Sequence, residues 1–468
     1  LPNNVARHVK HQQTREHPAA VMTRTVRPLA TVAPLVAPLV ASLALIWGAT
    51  AQAQSLPVGY GESPTLPAPK AQLIPTTKTY TSQPWKAGAT PVAAAGLKVT
   101  PFAQGLVNPR WVYTLPNGDV LVAECNTPAK ASGSTNVFTA FANLFTSLFS
   151  GANKSANRIT LLRDADGDGV AEVRTPLLTG LNSPIGMVLV GNTLYIANTD
   201  AVVKVPYTTD GTIAITAKPE KLTDLPSGAG ARHWTRNLIA NADGSKLYVA
   251  VGSASNIAES GLAADEGRGA IWEVDTATGA KRLFAQGLRN PVGLAWNPIT
   301  QELWTAVNER DQLGNDLVPD YMTSVRQGDH FGWPWSYFGA NVDTRVKPAN
   351  PEVVAQARTP DFALGAHTAS LGLAWSAPGN GLPAAFQRGM VVGMHGSWNR
   401  NPVSGYKVVF VPFDAAGKPL PQVVDVLSGF INSNRTNGRP VGVAFDPRGG
   451  LLVADDTGNT VWRVSSAP

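Results

Sequence analysis

One local grammar recurs along this chain and limits what it can become. The stretch GLRNPVGLAWNPITQELWTAVNERDQLGND, Gly287 to Asp316, joins a cationic loop at Arg289 and Asn290 to an apolar run, Val292 to Trp296. A turn at Asn297 and Pro298 leads to a second strand-like run, Leu303 to Val307, which ends in the polar cluster Asn308, Glu309, Arg310 and Asp311. Two apolar runs split by a turn pair predict a β-hairpin whose open end carries the chemistry. The grammar returns five times in looser form. NPRWVYTLPNGDVLVAECN starts at Asn108, SPIGMVLVGNTLYIANTD at Ser183 and RHWTRNLIANADGSKLYVAVGS at Arg232. SLGLAWSAPGNGLPAAFQRGMVVGMHGSWN starts at Ser370 and RPVGVAFDPRGGLLVADDTGN at Arg439. Successive anchors lie roughly 50 to 80 residues apart, near or above the period of propeller blades with loop insertions. Six such hairpins predict an all-β chain, a six-bladed β-propeller whose inner strands converge on a central axis.

With 468 residues there is room for one large domain or for two or three ordinary ones. The repeat favours one, placed at 97–468, because each hairpin buries its apolar faces only by stacking on its neighbours. Charged residues make up only 15% of the chain, which excludes a disordered protein and suits a packed, strand-rich body. Leu97 to Phe102 alternates like a strand and is expected to pair near Val461 to Val464, closing the ring without an open edge.

The first 53 residues read as an address. Leu29 to Trp47 is apolar and uncharged, preceded by Arg24 and Arg27 and followed by ATAQA at cleavage-type spacing, which predicts a secretory signal peptide over 22–53 cut after Ala53. Residues 1–21, ahead of Met22, read as an over-extended start; an uncleaved anchor helix is the alternative for the apolar run. This segment holds five Lys or Arg against one acid, four of the six net positive charges. The nearly neutral remainder gives no electrostatic case for nucleic acid. Cys125 is the only cysteine, so there is no internal disulfide and no Cys-x-x-Cys-His haem motif. Residues 54–96, rich in Pro, Ala, Thr and Ser, read as an extended leader, either laid over the surface or partly disordered.

Two insertions interrupt the hairpins. Within 129–157, Val137, Phe138, Phe141, Leu144, Phe145, Leu148 and Phe149 recur at three- and four-residue intervals, predicting a short helical insertion with one aromatic face. It is read as a lid packed on the propeller, or, through 137–149, as a peripheral membrane or electron-partner contact. Then RITLLRDADGDGVAEV places Asp164, Asp166, Asp168 and Glu172 around Gly167 and Gly169, like the first half of a calcium loop without its terminal bidentate Glu. Calcium and a hairpin tip with solvated carboxylates both remain open.

Four histidines lie beyond the leader: His233, His330, His367 and His395. Three of them, His233, His367 and His395, stand at the mouths of predicted inner hairpins, and none has zinc-site spacing. Arg110, Arg232, Arg236, Arg289, Arg310, Arg400 and Arg439 accompany them. Guanidinium groups gathered at one axis call for a multiply charged anion between them, unless each pairs with a local acid, as Arg310 would with Glu309 or Asp311.

RNPVGLAW, NERDQLGNDLVPDY, GDHFGWPW, HTASLGLAW and HGSWNR, in this order, resemble the sorbosone dehydrogenase family, relatives of the soluble glucose and aldose dehydrogenases that depend on pyrroloquinoline quinone (PQQ). The resemblance spans about 97–466. It implies that His233 is the general base and that Arg289 and Asn290 contact the quinone. It further implies that Arg439 pairs with the quinone carboxylates and that Arg400 or His395 supplies another contact, with His367 and Arg110 completing the set. Calcium would sit on the backbone carbonyls of Arg310 and Asp311, with Glu309 nearby and Asp164, Asp166 and Asp168 as a second candidate set. Val292 stands where the glucose enzymes carry a glutamine, which removes one cofactor contact.

The expected function is therefore PQQ- and calcium-dependent oxidation of an aldose or a sorbosone-like sugar aldehyde in the periplasm or outside the cell. Electrons would pass to a separate cytochrome or quinone. A metal-dependent lactonase on the same architecture, using Asn308, Glu309 and Asp311, and a non-catalytic binding propeller are the alternatives.

Overall fold

The computed structural model describes residues 56–72, 75–128, 155–228, 232–432 and 435–468. The expected signal peptide, and the aromatic insertion up to residue 154 with its proposed membrane face, lie outside these residues.

The hairpins expected from the sequence form, and each gains two further strands to make a four-stranded antiparallel sheet. The first blade runs through Pro109–Thr114, Val120–Glu124, Arg158–Arg163 and Val173–Leu178, and the second through Met187–Val190, Thr193–Ala197, Ala201–Pro206 and Glu220–Asp224. The third comprises Arg236–Ala240, Lys246–Val251, Ala270–Asp275 and Lys281–Ala285. Asn290–Trp296, Leu303–Asn308, Pro319–Val325 and Phe362–Ala366 build the fourth. Ser370–Ser376, Gly389–Met394, Lys407–Pro412 and Val424–Ser428 build the fifth. In the sixth, Pro440–Phe445, Leu451–Asp455 and Thr460–Ser466 are completed by Leu97–Gln104 from the other end of the body. Leu97 faces Ser466 and Gln104 faces Thr460, so the ring closes as expected and leaves no bare edge.

Burial follows position in the blade. Second strands such as Val120–Glu124, Gly389–Met394 and Leu451–Asp455 are buried at every residue, because a neighbouring blade covers each face. The outermost strand Glu220–Asp224 is largely exposed and polar. Innermost-strand residues Trp111, Met187, Val292, Leu371 and Val441 join one apolar cluster that draws on the first, second, fourth, fifth and sixth blades.

The described part of the leader lies on the surface. Tyr60 and Gly61 add to the fourth blade, and Val92 and Ala93 to the fifth. Between them, Lys70 N and Gln72 N donate to the carbonyls of Leu313 and Gln312, and Trp85 Nε1 donates to Asp455 of the sixth blade at 2.8 Å. The only α-helix among the described residues is Pro351–Gln356, capped by Asn350.

Candidate functional site

Antiparallel pairing brings the start of each innermost strand and the end of its neighbour to one rim. Arg236 faces Val251, Asn290 faces Asn308, Ser370 faces Met394 and Pro440 faces Asp455. Loops flanking these pairs gather at one end of the propeller and carry His233, Arg289, Asn290, Glu309 to Asp311, His367, His395, Arg400 and Arg439, with Arg110 at the matching edge of the first blade. The loop holding Asp164, Asp166, Asp168 and Glu172 joins Arg163 to Val173 at the opposite rim.

His233 is half-buried. Its Nδ1 lies 3.0 Å from the Ser253 carbonyl oxygen and 2.9 Å from Ser253 Oγ, while Nε2 has no partner among the described residues. Burial first, then the Arg289 and Arg232 guanidinium groups, hold the ring well below the usual imidazole range, so it is neutral near pH 7. Asn290 is buried, and its side-chain Oδ1 also lacks a partner. Gly252 sets these two residues together: a Cβ there would fall 2.2 Å from Asn290 Oδ1 and 2.6 Å from His233 Cβ. Arg232, whose side chain is 37% exposed, has among the described residues only a distant ion pair with Asp311, at 3.9 Å. On the other side Arg110 is paired with Asp456, its guanidinium 5.5 Å from the centre of the Trp234 ring.

The remaining cations are spent on the protein itself. Buried Arg289 donates through Nη1 to the carbonyl of Glu309 at 2.5 Å, and through Nη2 to Asn256 Oδ1 at 2.9 Å and Asp311 Oδ2 at 3.1 Å. It holds the loop at 308–311 in shape rather than presenting its Nη groups to a ligand. Arg439 donates to the carbonyls of His395 and Gly396 and lies over the Tyr406 ring. Arg400 turns outward to Asn315 O, Pro402 O and Asp316, which corrects its expected place beside the quinone.

The other two histidines are also engaged. His395 Nε2 lies 2.9 Å from Asp456 Oδ2, and burial, then Arg439, pushes its pKa down to about 4. Burial disfavours the Asp456 carboxylate, but His395 and Arg110 more than offset this and hold it below the ordinary range. His367 gives Nε2–H to the Gly314 carbonyl at 2.9 Å and accepts Asn399 Nδ2 on Nδ1 at 3.1 Å, so both ring nitrogens are used and the expected cofactor contact fails.

The expected metal ligands need correction too. Arg310 does not bring its cation to the axis: it is fully buried, pairs with Glu309 and Asp343, and donates to the carbonyls of Pro334 and Ser336. Glu309 thereby commits its Oε2, which accepts both Arg310 N and Arg310 Nε. The Asp311 carbonyl accepts Arg345 Nη1 at 3.1 Å, and the Asp311 carboxylate is shared by Arg289 and Asn399. Of the three, only the Arg310 carbonyl accepts no hydrogen bond among the described residues. These contacts engage Glu309 Oε2 and both oxygens of Asp311, two of the residues that the lactonase alternative would use. At the opposite rim Asp164, Asp166, Asp168 and Glu172 bring their oxygens within 4.8 Å of one another, but Asp164 pairs with Arg448 and takes the backbone amides of Gly167 and Gly169.

Sequence reasoning did not single out Ser253, Asn256, Asp320, Asn399 or Asp456. Asp320 accepts from Glu309 N at 2.9 Å and Ser370 N at 2.8 Å and so locks the fourth-blade loop to the fifth blade. Ser253, Asn256, Asn399 and Asp456 follow second strands of hairpins, the same place that drew attention to Glu309.

A family model described as TrAA12-like matches residues 153–325 and 319–467. An uncharacterised protein of Borreliella burgdorferi is 28% identical over 297 residues, 61% of this chain and 76% of that protein. A pyrroloquinoline quinone-dependent pyranose dehydrogenase of Coprinopsis cinerea is 35% identical over 128 residues, 24% of this chain and 17% of that protein. Its PQQ domain, solved in holo form, is 20% identical and superposes with a TM-score of 0.64 over 82% of this chain and 98% of the domain. The calcium structure of a Trichoderma reesei protein of Carbohydrate-Active Enzymes Family AA12 is 19% identical, with a TM-score of 0.64 over 84% of this chain and all of that one. At such identities the structural likeness establishes the shared fold.

Proposed function

The chain belongs to the TrAA12-like family, and from that premise we propose that it is an oxidoreductase that uses PQQ to oxidise a sugar, an aldose or a sorbosone-like sugar aldehyde taken as its hydrate. One observation carries this reading. His233 Nε2 and the Asn290 side-chain Oδ1, both without partners among the described residues, are held side by side at Gly252, next to the exposed guanidinium of Arg232. A planar, multiply charged quinone fits that set: Arg232 would offset its carboxylate charge, and the Asn290 amide would bond its polar edge. When bound, the quinone supplies the two-electron acceptor for the hydrogen that leaves the sugar carbon with its electron pair.

The protein's own work is to take the proton. A neutral His233 has a lone pair for the hydroxyl proton of the substrate, and a ring held well below the usual imidazole range keeps that lone pair available at acidic pH. Loss of that proton and of the carbon's hydrogen turns an aldose into a lactone, or an aldehyde hydrate into an acid. Arg289 acts at a distance, fixing the 308–311 loop beside His233 and Asn290. Calcium belongs to the reading with the Arg310 carbonyl as its ligand from that loop, and the proton transfer does not depend on it.

The electron acceptor in this proposal is a separate cytochrome or quinone. A periplasmic or secreted location rests on residues 22–53 alone. The test is reconstitution of the purified protein with PQQ, with and without calcium, followed by quinone binding and dye reduction over a panel of aldoses and sorbosone. Dye reduction that requires the quinone is the expected result. A folded protein that binds no quinone would overturn the reading.

A further inference from the structure

Of the three axial histidines, His367 and His395 each have a carboxylate within 4 Å, and His233 has none among the described residues. What faces its Nδ1 is Ser253, twice: the carbonyl oxygen at 3.0 Å and Oγ at 2.9 Å. The Ser253 hydroxyl is itself a donor, to the carbonyl of Ser255 at 2.7 Å. A hydroxyl has one proton, so Oγ turns only lone pairs toward the ring. Two acceptors at hydrogen-bond distance require the proton of the neutral imidazole on Nδ1, which leaves the lone pair on Nε2. The other tautomer would set lone pair against lone pair at both contacts.

The serine is held in that orientation from behind. Ser255 Oγ donates to Asp265 Oδ2 at 2.5 Å and accepts Ala258 N at 2.9 Å, and Ala254 N donates to Asp265 Oδ1 at 2.5 Å. His233, Ser253 and Ser255 thus form a directed path of hydrogen bonds through one loop, anchored on a buried aspartate. Side-chain hydroxyls rotate freely when nothing commits them; here the Ser255 carbonyl commits this one.

We propose that Ser253 is a positioning residue: its hydroxyl, directed at the Ser255 carbonyl, locks His233 in the Nδ1–H tautomer and keeps Nε2 as the atom that accepts the substrate's hydroxyl proton. The catalytic consequence rests on the oxidoreductase reading; the tautomer rests on geometry alone. A neutral partner at Nδ1 has a further effect. Burial and the cations Arg289, Arg232 and Arg236, the first two of which share Asp311, act against the imidazolium, and among the described residues no carboxylate lies within 4 Å of the ring nitrogens, so the base stays unprotonated below the usual imidazole range.

Long-range 1H–15N spectra of the quinone-free protein test the tautomer directly, with the His233 signals assigned from their loss in His233→Gln. An Nδ1–H pattern at pH 7 is expected, and a predominant Nε2–H pattern overturns the proposal. Ser253→Thr keeps the hydroxyl and should keep the pattern and turnover within about threefold. Ser253→Ala removes one of two acceptors and should mix the tautomers and lower kcat on the order of tenfold with little change in KM. Ser253→Asp supplies a carboxylate and should move the acid limb of the kcat/KM profile up by about one pH unit or more. Wild-type tautomer and kcat in Ser253→Ala, with an unmoved limb in Ser253→Asp, overturn the role of the hydroxyl. Nδ1–H in a protein that oxidises no sugar overturns the oxidoreductase reading and leaves the tautomer assignment standing; turnover with Nε2–H does the reverse.

Discussion

Arg289 Nη2 lies 3.1 Å from Asp311 Oδ2, and the two residues hold the fourth-blade loop against the axis from opposite ends of one hairpin mouth. Both are buried, so removing Arg289 leaves Asp311 with only the distant guanidinium of Arg232, at 3.9 Å, as a counter-charge. Arg289→Ala should therefore cost about 3–5 kcal/mol of unfolding free energy, read by urea denaturation. Replacing both residues together with apolar ones, Arg289→Met with Asp311→Leu, should recover part of that loss. A loss below about 1 kcal/mol in the single variant would show that the pair does not brace the loop.

Gly252 is required for space, since a Cβ would sit 2.2 Å from Asn290 Oδ1 and 2.6 Å from His233 Cβ. Its φ is not in the left-handed region, so the whole effect of Gly252→Ala is steric. The expected cost is about 1–3 kcal/mol of stability, with weaker quinone binding because Asn290 and His233 are pushed apart. Calorimetric titration with PQQ and thermal unfolding report the two effects separately, and unchanged affinity would detach Gly252 from the site.

His395 makes stability depend on pH. Its folded pKa of about 4 lies below the ordinary imidazole value, chiefly through burial and then Arg439. Above about pH 6.5 both folded and unfolded chains carry it neutral; between about 6.5 and 4 the unfolded chain takes up the proton first. The contribution is thus full at neutral pH and lost as pH falls through that window, on the order of 3 kcal/mol in all. Asp455 and Asp320, pushed up by burial to about 6 and about 7, act the other way over an overlapping range. The measurement is accordingly a difference: thermal stability between pH 4 and 7 for wild type and His395→Gln. The variant, which still offers Asp456 a donor, should lose less stability on acidification, and parallel curves would refute the assignment.

His233→Gln should lower turnover by about 10²- to 10⁴-fold while leaving folding and quinone affinity close to wild type. Single-turnover reduction of the reconstituted protein reads the first, and calorimetric titration with PQQ the second. Turnover within a few fold of wild type would remove His233 as the base.

The blade count, the closing strand and the rim that gathers the histidines and arginines were all legible in the sequence. Each of these follows from local pattern: an apolar run, a turn pair such as Asn297-Pro298, a second run and then polar residues. A two-residue side-chain period and antiparallel pairing put the two ends of such a hairpin at one rim in every blade. His233 and Asn290 were found for this reason, because their places in the hairpin sufficed to bring them to the axis.

The partners of those residues were not legible, because they depend on which way a side chain turns and on what comes from another blade. Arg310 stands one residue from Asp311 in the chain, yet it points into the 334–343 insertion while Asp311 turns to Arg289 and Asn399. Seven arginines lie near the axis by spacing, but spacing does not show that Arg110, Arg236, Arg289, Arg310, Arg400 and Arg439 answer to carbonyls and acids of the protein. The sequence by itself determined a ring of six hairpins with cations and histidines at one rim. Only the tertiary structure decided which of those groups stay unpaired, because a buried charge or amide takes the best partner within reach, and reach is set by packing between blades that lie far apart in the chain.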